Sequence, residues 1–436
     1  MTAQVSSTRM ERHRLPTALF VGPVPPPVFG QAVGMQILLD SAELRSQYRL
    51  LHVNTNNIGK NRVRRVVSTI GSLSQYIGRL VAGRPKVVYL SITRSKLGCV
   101  KDCIIVALAR LCGTAVVVHL RGGDMAVFYK ALGPLWRRWV SWAYQRITLG
   151  IVLGESLRSQ FEGLLPPQKV RVVFNCWSDG ESCVFSCRPE RSGNEPLRIS
   201  FVSNVLPSKG LYDALEGVAW AIREGVHADF QFAGAFLGYD GALAKLPELA
   251  HENLPATTLE EKFERLVKTL GIESCVRRLG TVTGAEKWDL LAQTDILLLP
   301  IYNPTEGQPL VAIEGMRAGC ALISTQCGGL VDIVEDDVTG RVVRPRAPQE
   351  IGEAIRWFWE NPHELRRISQ ANMARAQELH HPQKHIREII RVFEEAQLSS
   401  GNGHKTPRRG VSDLTAHVAE PVSDSGGSDR YANTRP

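Results

Sequence analysis

Short apolar runs, each followed by a longer amphipathic stretch, recur along the chain and limit it to one class of architecture. In the first half they are TALFVG at 17–22, KVVYLSI at 86–92, TAVVVHL at 114–120, ITLGIVLG at 147–154 and KVRVVFN at 169–175. Runs of this kind suit strands buried on both faces, and the amphipathic stretches supply the helical crossovers that parallel strands require. A polar stretch, SCRPERSGNEP at 186–196, interrupts the series. The alternation then restarts with LRISFVSN, ADFQFAGAF, VRRLGTV, DILLLPIY, CALISTQ and GRVVRP. The pattern predicts an α/β fold of two Rossmann-like, doubly wound domains, residues 17–190 and 197–383. Their facing strand ends leave a central cleft, the expected place for a ligand. Residues 1–16 read as a flexible N-terminus. Residues 399–436, rich in Gly, Ser, Pro and charge, read as a disordered tail.

A chain of 436 residues has room for two such domains. Its formal net charge of +9 is unevenly placed: residues 1–195 carry 26 Lys/Arg against 11 Asp/Glu, the remainder 26 against 32. The first half therefore faces nucleic acid, an anionic membrane surface, or only solvent. No nucleic-acid-binding motif accompanies the charge. Two stretches suit a membrane interface. Val63, Val66, Val67, Ile70, Leu73, Tyr76, Ile77 and Leu80 are spaced like the apolar face of a basic helix, and Trp136, Trp139 and Trp142 interleave with Arg137, Arg138 and Arg146. Tryptophans packed on a sheet beside solvated arginines would give the same pattern. The polar start and the interrupted run CIIVALARLCGTAVVVHL offer neither a signal peptide nor a spanning helix, so the expected location is cytoplasmic, at most peripheral on the inner face of the membrane. Nine scattered cysteines lack zinc-module spacing and read as reduced thiols. Cys176, Cys183 and Cys187 lack a fourth metal ligand in register.

Three stretches carry the chemistry. After the first predicted strand, PVPPPVFGQ leads through Gly30 into a helix beginning near Gln31, a generic anion site. After the first strand of the second domain, SNVLPSKG offers Lys209 as a point charge, with Gly210 allowing the turn. EGQPLVAIEGMRAG places Glu306 in the loop beyond a buried strand, Pro309 in the first turn of a helix, and Glu314 one turn deeper. Amides near Gly307, Gln308, Leu310 and Val311 would face a phosphate. Glu314 could accept from a ribose diol and Glu306 could hold sugar hydroxyls. Two glutamates that merely complement a helix dipole and solvent are the alternative.

SNVLPSKG, EGQPLVAIEGMRAG and GGLVDIVEDDVTGRVV, in this order, resemble the retaining glycosyltransferases of family 4, which have the GT-B fold. The resemblance covers most of residues 17–397. PVPPPVFGQAVGM and GCVKDCIIVALARLCGTAVVVHLRGGDM are similar to members that build surface polysaccharides. The resemblance implies a nucleotide diphosphate-sugar donor, a glycan or lipid-linked acceptor, and neither a metal nor another cofactor. It implies that Glu306 touches the donor sugar, that Gln308 to Val311 supply amides, that Glu314 binds the ribose, that Lys209 neutralises the diphosphate and that Gly30 lets the first loop approach. It implies no protein nucleophile, and no general base is assigned. Residues 384–398 would form a closing helix that packs back on the first domain. The chain departs from the family twice. Asn204 stands where an arginine is common, so another cation such as Arg121 must compensate or the rate is lower. In HLRGG, Arg121 occupies the usual histidine position, leaving His119, a candidate for a sugar or acceptor contact, two residues earlier. An epimerase or hydrolase of the same fold, or a non-catalytic nucleotide-sugar binder, remain the alternative functions. Leu279 to Val282 are expected to line the base.

Overall fold

Among the described residues, twelve strands form two six-stranded sheets, and every strand pair is parallel. The structure is a computed structural model and describes residues 15–56, 62–178, 195–237 and 254–401. The first sheet contains β1 (Thr17–Gly22), β2 (Arg49–Asn54), β3 (Val87–Ser91), β4 (Ala115–His119), β5 (Leu149–Val152) and β6 (Val170–Val172), in the order β2-β1-β3-β4-β5-β6. The second contains β7 (Leu197–Val202), β8 (Ala228–Ala233), β9 (Val276–Gly280), β10 (Ile296–Leu299), β11 (Ala321–Ser324) and β12 (Gly340–Val342), in the order β12-β11-β10-β7-β8-β9. These are the two doubly wound sheets that the alternation predicts. The linker 186–196, the terminal segments 1–14 and 402–436, and Cys183 and Cys187 lie wholly or largely outside the described residues.

No apolar run in the sequence announces β2. Its segment RLLHVN borders the sheet beside β1, and most of its residues are only half-buried or exposed, so it carries no continuous apolar run. β1 and β3, by contrast, are buried throughout.

Helices Arg62–Gly83, Lys96–Leu111 and Pro134–Tyr144 cover one face of the first sheet, burying Tyr76, Cys103 and Val140 on it. Ser95 caps the second of these, its Oγ accepting from Gly98 N at 3.2 Å, and Pro134 opens the third. The opposite face takes helices Gly30–Asp40 and Ala42–Gln47 together with the final helix, Pro382–Gly401. That last helix sends Ile386, Ile389 and Phe393 into a core with Phe20 and Tyr89. The second sheet is covered on one face by Leu211–Arg223, Ala256–Leu270 and Pro348–Glu360, and on the other by Gly284–Gln293 and Leu310–Arg317.

In each sheet the strand order reverses beside the first strand: between β1 and β3, and between β7 and β10. Open α/β sheets bind ligands at the crevice outside such a reversal. The residues beyond those strand ends are the ones the motifs had singled out.

Candidate active site

On the second-sheet side, the chain leaves β7 through Asn204 and closes a short turn, Pro207–Lys209, against Gly210. Gly210 has φ +79°, and a Cβ there would lie 2.2 Å from Pro300 O, so only glycine serves. The turn carries the Lys209 ammonium to Glu306, Nζ to Oε2 2.7 Å, with both side chains largely buried. Glu306 sits in the loop after β10, and the helix Leu310–Arg317 follows. Pro309 is the residue capping that helix rather than part of its first turn. Among the described residues, the N–H groups of Gly307, Gln308, Leu310 and Val311 meet no acceptor. The helix has no side-chain cap and no acidic residue in its first turn.

The loop is clamped from both sides. Gly329 N donates to Glu306 O at 3.0 Å, and from the other sheet Gly123 N donates to Thr305 O at 2.9 Å. A Cβ on Gly123 would stand 2.9 Å from Glu306 O, and one on Gly307 2.8 Å from Arg121 O. The HLRGG segment thus meets the TEGQ segment backbone to backbone.

On the first-sheet side, the helix Gly30–Asp40 starts one residue earlier than expected, again with no side-chain cap and no acidic residue in its first turn. The N–H groups of Gly30 and Gln31 meet no acceptor among the described residues. The only atom near a Cβ built on Gly30 is Leu310 Cδ1, 3.9 Å away, so the missing side chain leaves open space. Arg121 lies over Gly34, where a Cβ would come within 2.1 Å of Nη1. Its Nη1 donates to Asn175 Oδ1 at 3.1 Å and its Nη2 to Tyr89 Oη at 3.2 Å. Arg94 pairs with Asp124 at 2.5 Å. Asn175 ties the halves together: its N donates to Gln308 Oε1 and its Nδ2 to Gln308 O, each at 3.0 Å.

Between the two sides lies a cavity of about 330 Å³, lined by Phe29, Gly30, Gln31, Arg94, Arg121 and Asn175 and by Glu306 to Leu310. Its single lining carboxylate, Glu306, is already paired with Lys209. Two helix N-termini and the Arg121 guanidinium, bonded among the described residues only to neutral groups, leave the space electropositive, which suits a phosphate-bearing ligand.

The remaining candidates lie outside this lining. His119 is fully buried at the end of β4, with Nδ1 2.6 Å from Tyr89 Oη and with no partner on Nε2. Burial, with Arg121 and His385 nearby, holds its pKa well below 6.5, so the ring is neutral. It reaches the cavity only through Tyr89 and Arg121. Glu314 is buried, its Oε1 accepting from Lys287 Nζ at 2.6 Å and Ser178 Oγ at 2.9 Å. Asn204 is exposed, and its Oδ1 accepts from Ala235 N at 3.2 Å, joining the ends of β7 and β8. Leu279 and Val282 are half-buried at the end of β9 against the core of the second sheet. Arg94, Asn175, Lys287, Gly34 and Gly123 were not among the sequence-derived candidates. Among the described residues no group of three or more His, Cys, Asp or Glu is placed to hold a metal.

Residues 188–375 match the family of glycosyl transferases group 1. A mannosyltransferase of Mycolicibacterium hassiacum, MMP alpha-(1->4)-mannosyltransferase, is 29% identical over 134 residues, 30% of this chain and 32% of the relative. A putative colanic acid biosynthesis glycosyltransferase of Escherichia coli, WcaL, is 24% identical over 178 residues, 40% of this chain and 39% of the relative. The chain therefore spans between about a third and two fifths of the length of these curated relatives. The crystal structure of Anabaena HepE with UDP and glucose superposes with a TM-score of 0.62 at 15% identity, covering 87% of this chain and 99% of HepE. The chain thus has the GT-B arrangement of two facing parallel-sheet domains.

Proposed function

We propose that the protein is a retaining glycosyltransferase that moves a sugar from a nucleotide diphosphate-sugar to a glycan or lipid-linked acceptor in surface-polysaccharide synthesis, working at the membrane periphery. The observation that carries this reading is the convergence of two uncapped helix N-termini, Arg121 and Glu306, itself paired with Lys209, on one cavity. The diphosphate lies against the free amides before Leu310, and Lys209 and Arg121 offset the charge that grows on it as the bond to the sugar breaks. Arg121 supplies from the first sheet the cation that Asn204 does not supply from the second. Glu306, held by Lys209, accepts from hydroxyls of the donor sugar. Glu314, fixed by Lys287 and Ser178, binds the ribose once a diol displaces part of that network. Tyr89 and His119 act as positioning residues: the Tyr89 hydroxyl accepts from the guanidinium, His119 holds that hydroxyl, and neither lines the cavity. The acceptor oxygen attacks the face from which the diphosphate departs, so the configuration is kept without a protein nucleophile.

The colanic acid relative and the resemblance of the first half favour a polysaccharide acceptor, and the UDP held by Anabaena HepE makes a uridine donor the first to try. The test is donor turnover in the wild type and in Glu306→Ala, with products analysed with and without acceptor. Acceptor-dependent transfer that the substitution abolishes is expected. Turnover without acceptor would indicate a hydrolase or epimerase, and no turnover in either protein would indicate a binder.

A further inference from the structure

Away from the cavity, the exposed apolar side chains are concentrated on one layer of the molecule. Of the sixteen large hydrophobic residues that stand exposed among the described residues, eleven lie on the helices Arg62–Gly83, Lys96–Leu111 and Pro134–Tyr144. These three helices pack side by side on the same face of the first sheet. The apolar residues of the first helix, spaced like a single face in the sequence, are divided in the structure. Tyr76 and Leu80 turn inward, while Val63, Val67, Ile70, Ile77 and Val81 form a second stripe, each 45% exposed or more. Their spacing keeps them on one side of the helix through five turns. On the third helix Trp136 and Trp142 stand open while Trp139 packs inward, and Arg146 lies over the Trp142 ring at 3.9 Å.

The charge of this layer has one sign. Between residues 62 and 148 the sequence has fifteen Lys/Arg and two acids, Asp102 and Asp124. Both acids are buried, and each pairs with a cation, Lys101 and Arg94. No carboxylate reaches the surface of the three helices, whereas Arg64, Lys96 and Arg138 do.

We infer that the outer layer of these three helices docks on a bilayer containing anionic lipids. Aliphatic and indole side chains enter the interface while the arginines stay at headgroup level. A second copy of the chain is disfavoured, because a symmetric contact would bring like charges together. Nucleic acid would engage the arginines but leave the Val and Ile stripe without an apolar partner. No helix among the described residues is long and apolar enough to cross a membrane, so the contact is interfacial. The inference rests on the membrane-peripheral reading above and gives it a surface and a lipid class.

The test is co-sedimentation of the full chain, without donor or acceptor, with vesicles of phosphatidylcholine alone or mixed with phosphatidylglycerol. Binding to the mixed vesicles, weakened by salt, is expected. Val67→Asp with Ile70→Asp, both at exposed positions, should lower it at least about tenfold. Arg64→Glu with Arg138→Glu should remove the preference for phosphatidylglycerol. Equal binding to both vesicle types, no binding to either, or a stable dimer dissolved by Val67→Asp would each overturn the inference. Donor turnover by the same variants in solution keeps the two readings apart. Lipid binding without turnover would sink only the glycosyl-transfer proposal, and turnover without lipid binding only the docking surface.

Discussion

Two helices begin at the cavity, Gly30–Asp40 after β1 and Leu310–Arg317 in the second half, and they differ in what surrounds them. Both lack a side-chain cap and an acidic first turn. Around the second, each carboxylate is matched by an ammonium: Glu306 by Lys209 and Glu314 by Lys287. Around the first, Arg121 is held by a phenol and an amide, groups that orient it without cancelling its charge. The second half therefore supplies fixed polar geometry with little net charge, and the first supplies the excess positive charge. A ligand with a diphosphate at one end and hydroxyls at the other needs both, so substitutions on the two sides should fail differently.

The largest effect belongs to Lys209, because it both neutralises the leaving group and fixes Glu306. Lys209→Ala should lower kcat by about 10²–10³-fold with little change in melting temperature, read by steady-state donor turnover. A loss confined to KM would place the lysine in ground-state binding alone. Next comes Arg121. Arg121→Ala should cost about 10–100-fold in kcat/KM, and Arg121→Lys should recover little of it, because a lysine cannot bridge Tyr89 and Asn175 while facing the cavity. Full recovery by lysine would reduce the first half's contribution to a diffuse charge.

Gly30→Ala acts more gently, on the first side alone. Alanine at the first position of a helix is neutral or favourable for folding, and the protein leaves room for the methyl group. The space it fills is the one assigned to the donor, so nucleotide-sugar affinity should fall by about tenfold while the melting temperature holds or rises. Unchanged affinity would mean that the donor does not approach the first helix.

The smallest effect concerns the segments that cross between the halves. His380 donates to Asn175 O at 2.8 Å and His385 to Phe174 O at 2.7 Å. Burial lowers their pKa values from 6.5 to about 4 and about 3. Above pH 6.5 these rings are neutral in both the folded and the unfolded chain, so their contribution to stability is fully present. As pH falls below 6.5 the unfolded chain takes up protons that the folded chain refuses, and stability declines by up to about 1.4 kcal/mol per pH unit for each ring until the folded pKa is reached. Melting curves from pH 7 to pH 4.5 should show this slope, to which buried His119 adds in the same direction, and His385→Asn should make it shallower. A slope untouched by that substitution would assign the acid sensitivity to other groups.

The sheets were legible because a parallel strand buried on both faces is written as a local run of apolar residues. β2 escaped because RLLHVN lies beside only one neighbour, in part exposed. The loop with Lys209, the bend at Gly210 and the helix after Glu306 were legible for the same local reason, each being set within a few residues. What could not be read was pairing across the chain. Lys287 finds Glu314 27 residues away, and Asn175 finds Gln308 133 residues away. Gly34 is a glycine because Arg121 crosses it, which no pattern in GQAVGM discloses. His119 shows the converse limit: at the end of β4, it was offered by the resemblance as a ligand contact, but its ring lies behind Tyr89.

Calorimetric titration with UDP, GDP and ADP, in the wild type and in Lys209→Ala, decides whether a diphosphate sits between the two halves. At least one nucleoside diphosphate should bind the wild type, the matching nucleoside should bind far more weakly, and the substitution should erase most of that difference. A nucleoside diphosphate that binds equally well without Lys209, or no better than its nucleoside, would contradict a diphosphate seat between the two helix N-termini.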